Sequence, residues 1–104
     1  MTVRMKRGVV MCSSEPYYFE MIEAAKMAYS SVGVGEVVIT SGIEGTHAVR
    51  SFHYIGRALD FRTSMLTDSQ RSVVHDRLRQ TLGVEYDVVF EGDHFHIEYD
   101  PKET

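Results

Sequence analysis

The sequence predicts an α+β protein in which two helices pack on one face of a small, largely antiparallel sheet. Three features predict this fold: two segments with apolar residues at helical spacing, four short strand-like segments, and a Gly-Asp pair that suits a tight hairpin turn. A chain of 104 residues with 43% hydrophobic and 25% charged residues suits a single domain spanning residues 1–104. Any catalytic site must therefore be built within one core.

The first helix is predicted to begin near Pro16 and to end near Gly33. Ser13 or Ser14 can cap its N-terminus, and a proline suits its first turn. Apolar residues then recur at helical spacing, namely Tyr18, Ile22, Ala25 and Tyr29. A glycine placed after such a stripe is a common helix terminator.

Two short strands separated by a long loop follow this helix. Residues 36–40 are rich in β-branched side chains, which favour a strand. Residues 41–55 contain glycine and serine without clean periodicity and predict a loop. A structureless stretch of about fifteen residues is uncommon in a compact domain unless it serves binding or catalysis. Residues 57–63 alternate around Leu59 and Phe61, which predicts a half-buried strand.

A capping box predicts the second helix. Thr67 can accept a hydrogen bond from a backbone N–H of the first turn, while the side chain of Gln70 reaches back to Thr67. An apolar stripe follows at helical spacing and consists of Val74, Leu78 and Leu82. Gly83 supplies the end of the helix.

The last two strands are predicted to form a hairpin with one polar and one apolar face. Strands 86–90 and 94–99 flank a turn at Gly92-Asp93, and alternation then puts opposed residues on a shared face. The polar face carries imidazole and carboxylate groups from Glu91, His94, His96 and Glu98. The opposite face carries Val88, Phe90, Phe95 and Ile97. A polar face held by an apolar one is a rigid platform for metal ligands or acid–base groups.

A second polar cluster lies at the preceding strand. Alternation puts Ala58, Asp60 and Arg62 on one side, and the small Ala58 leaves room beside Asp60. His53 comes near Asp60 if the chain turns at Gly56, because glycine adopts backbone angles denied to other residues. Two imidazoles and one carboxylate form a ligand set suited to zinc, with a fourth position left for water.

These residues resemble a known family. The segment from His53 to Asp60, with Thr40-Ser41-Gly42 and Ser51 before it and His94-Phe95-His96 after it, resembles the zinc peptidases. This family includes D-alanyl-D-alanine carboxypeptidases, D-Ala-D-Ala dipeptidases and phage L-alanyl-D-glutamate endopeptidases, and Hedgehog signalling domains share its core. The resemblance covers roughly residues 36–100 and implies a Hedgehog-like, D-Ala-D-Ala metallopeptidase-like fold.

The resemblance implies one zinc ion per chain, held by His53, Asp60 and His96. It also implies an acid that takes a proton from the attacking water and returns it to the leaving amine. The family pattern selects Asp93, three residues before the last ligand, whereas the face argument selects Glu91; we favour Glu91. His94 can stabilise a developing oxyanion or orient the water, and it is the alternative third ligand.

The substrate-binding residues depart from the family pattern. Members often carry an arginine shortly after the Ser-Gly pair, where this chain has Ile43-Glu44. Arg50 or Arg57 can instead supply a positive charge for a substrate carboxylate or for the tetrahedral intermediate, and His47 can line the cleft.

We therefore expect a zinc metallopeptidase that hydrolyses an amide bond in peptidoglycan stem peptides, as a D,D-carboxypeptidase or an endopeptidase. Such an activity degrades cell wall and would make the protein similar to phage endolysins. The alternative is a catalytically inactive zinc-containing module with a binding or structural role, which the Hedgehog resemblance allows.

Composition narrows the expected partners and location. A formal net charge of −4 argues against duplex nucleic acid or anionic lipid as the main ligand, since both need clustered cations. No stretch approaches the roughly 20 apolar residues of a membrane span, and the apolar run 9–12 is too short for a signal-peptide core. The lone Cys12 cannot form an internal disulfide. We expect a monomer, cytoplasmic as synthesised and found in a host cytoplasm or virion if phage-encoded.

Overall fold

The computed structural model describes residues 1–10, 16–42 and 57–101, which form five strands and two helices. In chain order these elements are β1 (Thr2–Met5), α1 (Pro16–Ser31), β2 (Glu36–Ser41), β3 (Ala58–Arg62), α2 (Asp68–Leu82), β4 (Tyr86–Glu91) and β5 (His94–Tyr99). The sheet order is β1-β2-β3-β5-β4, with β1 parallel to β2 and the other neighbouring pairs antiparallel. The predicted α+β class and the largely antiparallel sheet are confirmed.

The edge strand β1 was not predicted from the sequence. It pairs in parallel with β2, with Thr2 opposite Glu36 and Met5 opposite Ile39. Thr2 and Arg4 alternate with Val3 and Met5, a period-two pattern typical of a strand, but all four residues are exposed in the structure. Pairing with β2, rather than an apolar face of its own, places this segment in the sheet.

The helix boundaries follow the local signals in the sequence. Helix α1 begins at Pro16 and is followed by Gly33, whose positive φ of 82° suits a glycine. The predicted caps Ser13 and Ser14 lie outside the described residues. At α2 the capping box is present, with the Gln70 N–H donating to Thr67 Oγ1 at 3.1 Å and the Thr67 N–H donating to Gln70 Oε1 at 2.8 Å.

Both helices pack on the apolar face of the sheet. The predicted hairpin register is confirmed, because Phe90 pairs with Phe95 and Val89 pairs with His96. One hydrophobic cluster joins buried residues of the two helices to the inward-facing residues of the strands. Its largest fully buried members are Tyr29, Phe61, Phe95, Met21, Ile39, Leu59, Leu78 and Ile97. The opposite face of the hairpin is therefore left to its imidazole and carboxylate groups.

Tyr29 ties helix α1 to the end of strand β3. Its buried side chain donates a hydrogen bond from Oη to the backbone oxygen of Arg62 at 2.7 Å. Burial also raises the pKa of the Tyr29 hydroxyl well above its ordinary value of 10.0. The folded state therefore keeps this phenol neutral at a pH where the unfolded chain would ionise it.

Tyr29→Phe is expected to make stability less sensitive to alkaline pH. The contribution of a raised pKa is fully present below the unfolded pKa and is lost as pH rises toward the folded pKa. The free energy of unfolding in urea, measured from about pH 8 to about pH 11, should decline more steeply for the wild type than for the variant. Equal slopes for the two proteins would contradict this account.

Candidate metal centre

The polar face of the sheet brings β3 and β5 side chains into one cluster. The two strands are antiparallel, with Asp60 opposite His96, Arg62 opposite His94 and Ala58 opposite Glu98. Directly opposed residues share a face, so these side chains project away from the helices. The pairing of β3 with β5 therefore joins the two polar clusters of the sequence, which lie far apart along the chain.

A register shift in β2 adds a third strand to this face. Ile39 pairs with Phe61, whereas Ser41 pairs with Asp60, so the register changes between Ile39 and Ser41. Such an irregularity re-aims the side chains of one strand relative to its partner. As a result, Ser41 stands opposite Asp60 at the edge of the polar cluster. The β-branched pattern of this strand carried no signal for the shift.

Asp60 lies between two imidazoles. Its Oδ1 is 2.9 Å from Nδ1 of His96, and its Oδ2 is 3.6 Å from Nε2 of His94. Two ligand atoms of a tetrahedral zinc site are about 3.4 Å apart, given metal–ligand distances of about 2.1 Å. Each of these two separations lies within about 0.5 Å of that value, and carboxylate and imidazole are ligand types that suit zinc. The three side chains do not bring one ligand atom each within 4.8 Å of one another, so among the described residues they form two neighbouring pairs and not a complete ligand set. These three side chains are 13–26% exposed, so a cation can reach them.

Carboxylate groups contact both ring nitrogens of His96. Nδ1 faces Asp60 and lies 4.0 Å from Oε1 of Glu91, while Nε2 lies 3.3 Å from Oε1 of Glu98. Burial lowers the pKa of His96, but the hydrogen bond to Asp60 and the charges of Asp60, Glu98 and Glu91 outweigh it and raise the pKa. The surrounding carboxylates therefore favour a positive charge at the His96 ring.

Glu91 and Asp93, the two acids proposed as the catalytic base, occupy different positions. The Glu91 side chain is 53% exposed and reaches toward His96. The Asp93 side chain is 91% exposed at the turn, where Oδ1 lies 2.8 Å from Nδ1 of His94. The hydrogen bond to His94 holds the pKa of Asp93 below its ordinary value. The carboxylate of Glu91 therefore faces His96, whereas that of Asp93 faces His94.

The predicted substrate-binding residues are only partly described. Arg57 lies with its guanidinium carbon 5.7 Å from the ring centres of both Tyr17 and Tyr99, which stack on each other. A cation over two aromatic faces is a stable packing arrangement. Arg50, His47 and the predicted ligand His53 lie outside the described residues.

Glu98 is a site residue to which sequence reasoning assigned no role. Glu98 lies two residues after His96 on the same strand, so alternation places both side chains on one face of the sheet. This spacing is the feature of the sequence that could have identified Glu98. The carboxylate oxygens of Glu98, Asp87 and Asp100 also lie within 4.8 Å of one another among the described residues, a spacing that could hold a metal ion. That group offers oxygen atoms alone, whereas zinc prefers sets that include nitrogen or sulfur.

Neither a comparison with protein-family models nor a search of curated proteins finds a match to this chain. Among the described residues, neither helix is long and apolar enough to cross a membrane.

Proposed function

We propose that this protein is a zinc peptidase that hydrolyses an amide bond in peptidoglycan stem peptides. The observation that carries the proposal is the contact of the Asp60 carboxylate with His96 at 2.9 Å, on a polar sheet face backed by a packed core. The resemblance of residues 36–100 to the D-Ala-D-Ala peptidases supplies the reaction and the substrate class. The donor set of the described cluster is compatible with that chemistry.

Three side chains would hold the metal, namely His53, Asp60 and His96. When bound, zinc supplies Lewis acidity that polarises the scissile carbonyl and makes water a better nucleophile. Glu98, whose Oε1 lies 3.3 Å from Nε2 of His96, orients the ring so that Nδ1 is directed toward Asp60. A carboxylate behind a ligating imidazole fixes its ring and raises its basicity.

Glu91 is the proposed proton carrier. Its carboxylate takes a proton from the attacking water and delivers it to the nitrogen of the leaving amine. The position of Oε1, 4.0 Å from Nδ1 of His96, puts this carboxylate beside the same cluster. Because the side chain is half-exposed, it can move toward the substrate without breaking a packed contact. Asp93, directed at His94, remains the second choice for this role.

Metal analysis combined with digestion of cell-wall fragments tests the proposal. The purified protein is expected to contain close to one zinc ion per chain, and mass spectrometry of muropeptides should identify the bond that it cleaves. Treatment with a chelator should abolish cleavage, and added zinc should restore it. Cleavage that survives complete removal of zinc would contradict the mechanism.

Glu91→Gln is expected to lower the turnover number by about 10²–10⁴-fold while zinc stays bound, because the amide cannot carry the proton. The matched variant Asp93→Asn should have a much smaller effect. The measurement is the initial rate of peptide cleavage together with zinc content for both proteins. The reverse order of effects would assign the base to Asp93, and zinc binding without turnover in the wild type would favour a non-catalytic module.

A further inference from the structure

A small polar cavity lies at one end of the sheet, beside the candidate metal centre. Its volume is about 130 Å³, roughly four times the ~30 Å³ that a water molecule occupies in the liquid. The lining residues come from separate parts of the fold and are Lys6, Thr40, Arg62, Ser64 and Asp93. Two cations and two hydroxyl groups therefore face a space large enough for a small anionic group.

Hydrogen bonds hold the backbone around this cavity. The N–H of Lys6 donates to the oxygen of Ile39 at 2.8 Å, which ties the end of β1 to β2. The N–H of Thr63 donates to the oxygen of Asp93 at 3.1 Å, which ties the end of β3 to the hairpin turn. Tyr29 holds the oxygen of Arg62 from the other side of the sheet. The cavity is thus built on strand ends that are fixed in position.

Among the described residues, two cations and one acid line the cavity, which leaves an excess of positive charge. Asp93 is the acid among the described lining residues; its carboxylate contacts Nδ1 of His94 at 2.8 Å and is also attracted to the charge of Lys6. Within the described ranges, no carboxylate forms an ion pair with Lys6 or Arg62, whereas Arg4 and Arg71 each have an acidic partner at 3.1 Å. A half-buried guanidinium such as that of Arg62, with no ion pair to any described carboxylate, favours the binding of an anion.

We propose that this cavity binds a carboxylate group of the peptide substrate, an inference that rests on the proposed function. The planar Arg62 guanidinium can pair with a carboxylate through two parallel hydrogen bonds, and Lys6 and the Thr40 and Ser64 hydroxyls can donate others. Sequence reasoning placed this role on Arg50 or Arg57. The guanidinium of Arg57 lies over two tyrosine rings, and its role in substrate binding stays a prediction.

The position of the cavity limits which carboxylate can enter it. Arg62 and Asp60 lie two residues apart on one face of β3, a separation of about 7 Å along the strand. An extended peptide covers that distance in about two residues. The bound carboxylate is therefore within one or two residues of the scissile bond, as a chain terminus or as the free carboxyl group of a glutamate.

Kinetics on matched peptides test this assignment. Stem peptides are prepared with both carboxylates free, with the C-terminus amidated, or with the glutamate carboxylate amidated. Amidation of the recognised group should raise the KM of the wild type by about 10- to 100-fold, and amidation of the other should not. Arg62→Gln should raise the KM of the free peptide to a similar degree and leave its zinc content unchanged.

Two control variants make the result decisive. Arg77→Gln removes an exposed arginine of α2 and should leave KM unchanged. Lys6→Gln should raise KM by a smaller factor, and it replaces Arg62→Gln as the test if that variant does not fold. An unchanged KM for the cavity variants and for both amidated peptides would overturn the assignment.

A direct binding experiment separates failure of this inference from failure of the proposed function. N-acetyl-D-alanine and N-acetyl-D-glutamine, which carry the two kinds of free carboxylate, are titrated into the purified wild type together with their α-carboxamides and followed by amide NMR. Shifts at Arg62 and Ser64 with one of the acids and not with its amide would support the carboxylate site even if no peptide were cleaved. Equal shifts with each acid and its amide, or none with any of the four compounds, would overturn it whatever the cleavage results show.

Discussion

Asp60→Ala is expected to remove both the bound zinc and the peptidase activity. Asp60 contacts His96 at 2.9 Å and His94 at 3.6 Å, so its carboxylate is the centre of the described cluster. Its loss removes one of three proposed ligands and leaves the imidazoles without the charge between them. Zinc content is expected to fall from about one ion per chain to near zero, and cleavage of cell-wall peptides should fall to background.

The control for this variant is Asp76→Ala, which removes an exposed carboxylate from helix α2. It should keep both zinc and activity. Circular dichroism of both variants should match the wild type, because Asp60 lies on the polar face and not in the hydrophobic cluster. Full activity of Asp60→Ala with zinc still bound would show that the metal centre lies elsewhere.

Phe95→Ala is expected to destabilise the fold by about 3–5 kcal/mol, the usual cost of emptying a large buried aromatic site. Phe95 is fully buried, pairs with Phe61 across β3 and β5, and packs against Phe90 and His75. The side chain lies between His94 and His96 in sequence but projects to the opposite face. A loss of this size is a large part of the stability of a small protein, so we also expect weaker zinc retention.

Urea unfolding measures this effect, and Phe19→Ala is its matched control. Phe19 is 68% exposed on helix α1, so its truncation should change the free energy of unfolding by no more than about 0.5 kcal/mol. A similar small change for Phe95→Ala would mean that the hairpin is not held by the core in the way the structure shows.

The sequence predicted the final hairpin in detail. Gly92-Asp93 and the alternation on either side of it determined that Glu91 pairs with His94, and the structure has this register. The capping box at Thr67 and Gln70 likewise predicted the start of the second helix. These features involve residues close together in the chain, where turn chemistry and side-chain periodicity act directly.

The arrangement of the candidate site was harder to predict from the sequence than the hairpin and the helix. The contact of Asp60 with His96 depends on β3 pairing with β5 although helix α2 and strand β4 lie between them in the chain, and periodicity does not determine which strands become neighbours. The register shift opposite Asp60 left no local signal, and the alternation of residues 2–5 does not show that this segment pairs in parallel with β2. Arg62 was assigned to the polar side of its strand, but Lys6 was not expected near it, because the segment that carries Lys6 was not predicted to join the sheet.

The amino-acid sequence by itself determined the two helices, the hairpin and the side of each predicted strand that carries acids and imidazoles, because local periodicity and capping decide these features. The tertiary structure alone decided the strand order, the neighbours of Asp60 and the cavity beside Arg62. Contacts between distant segments form only when the apolar faces of all the elements pack together. Burial of the shared core, which no single segment achieves alone, is the physical reason for that difference.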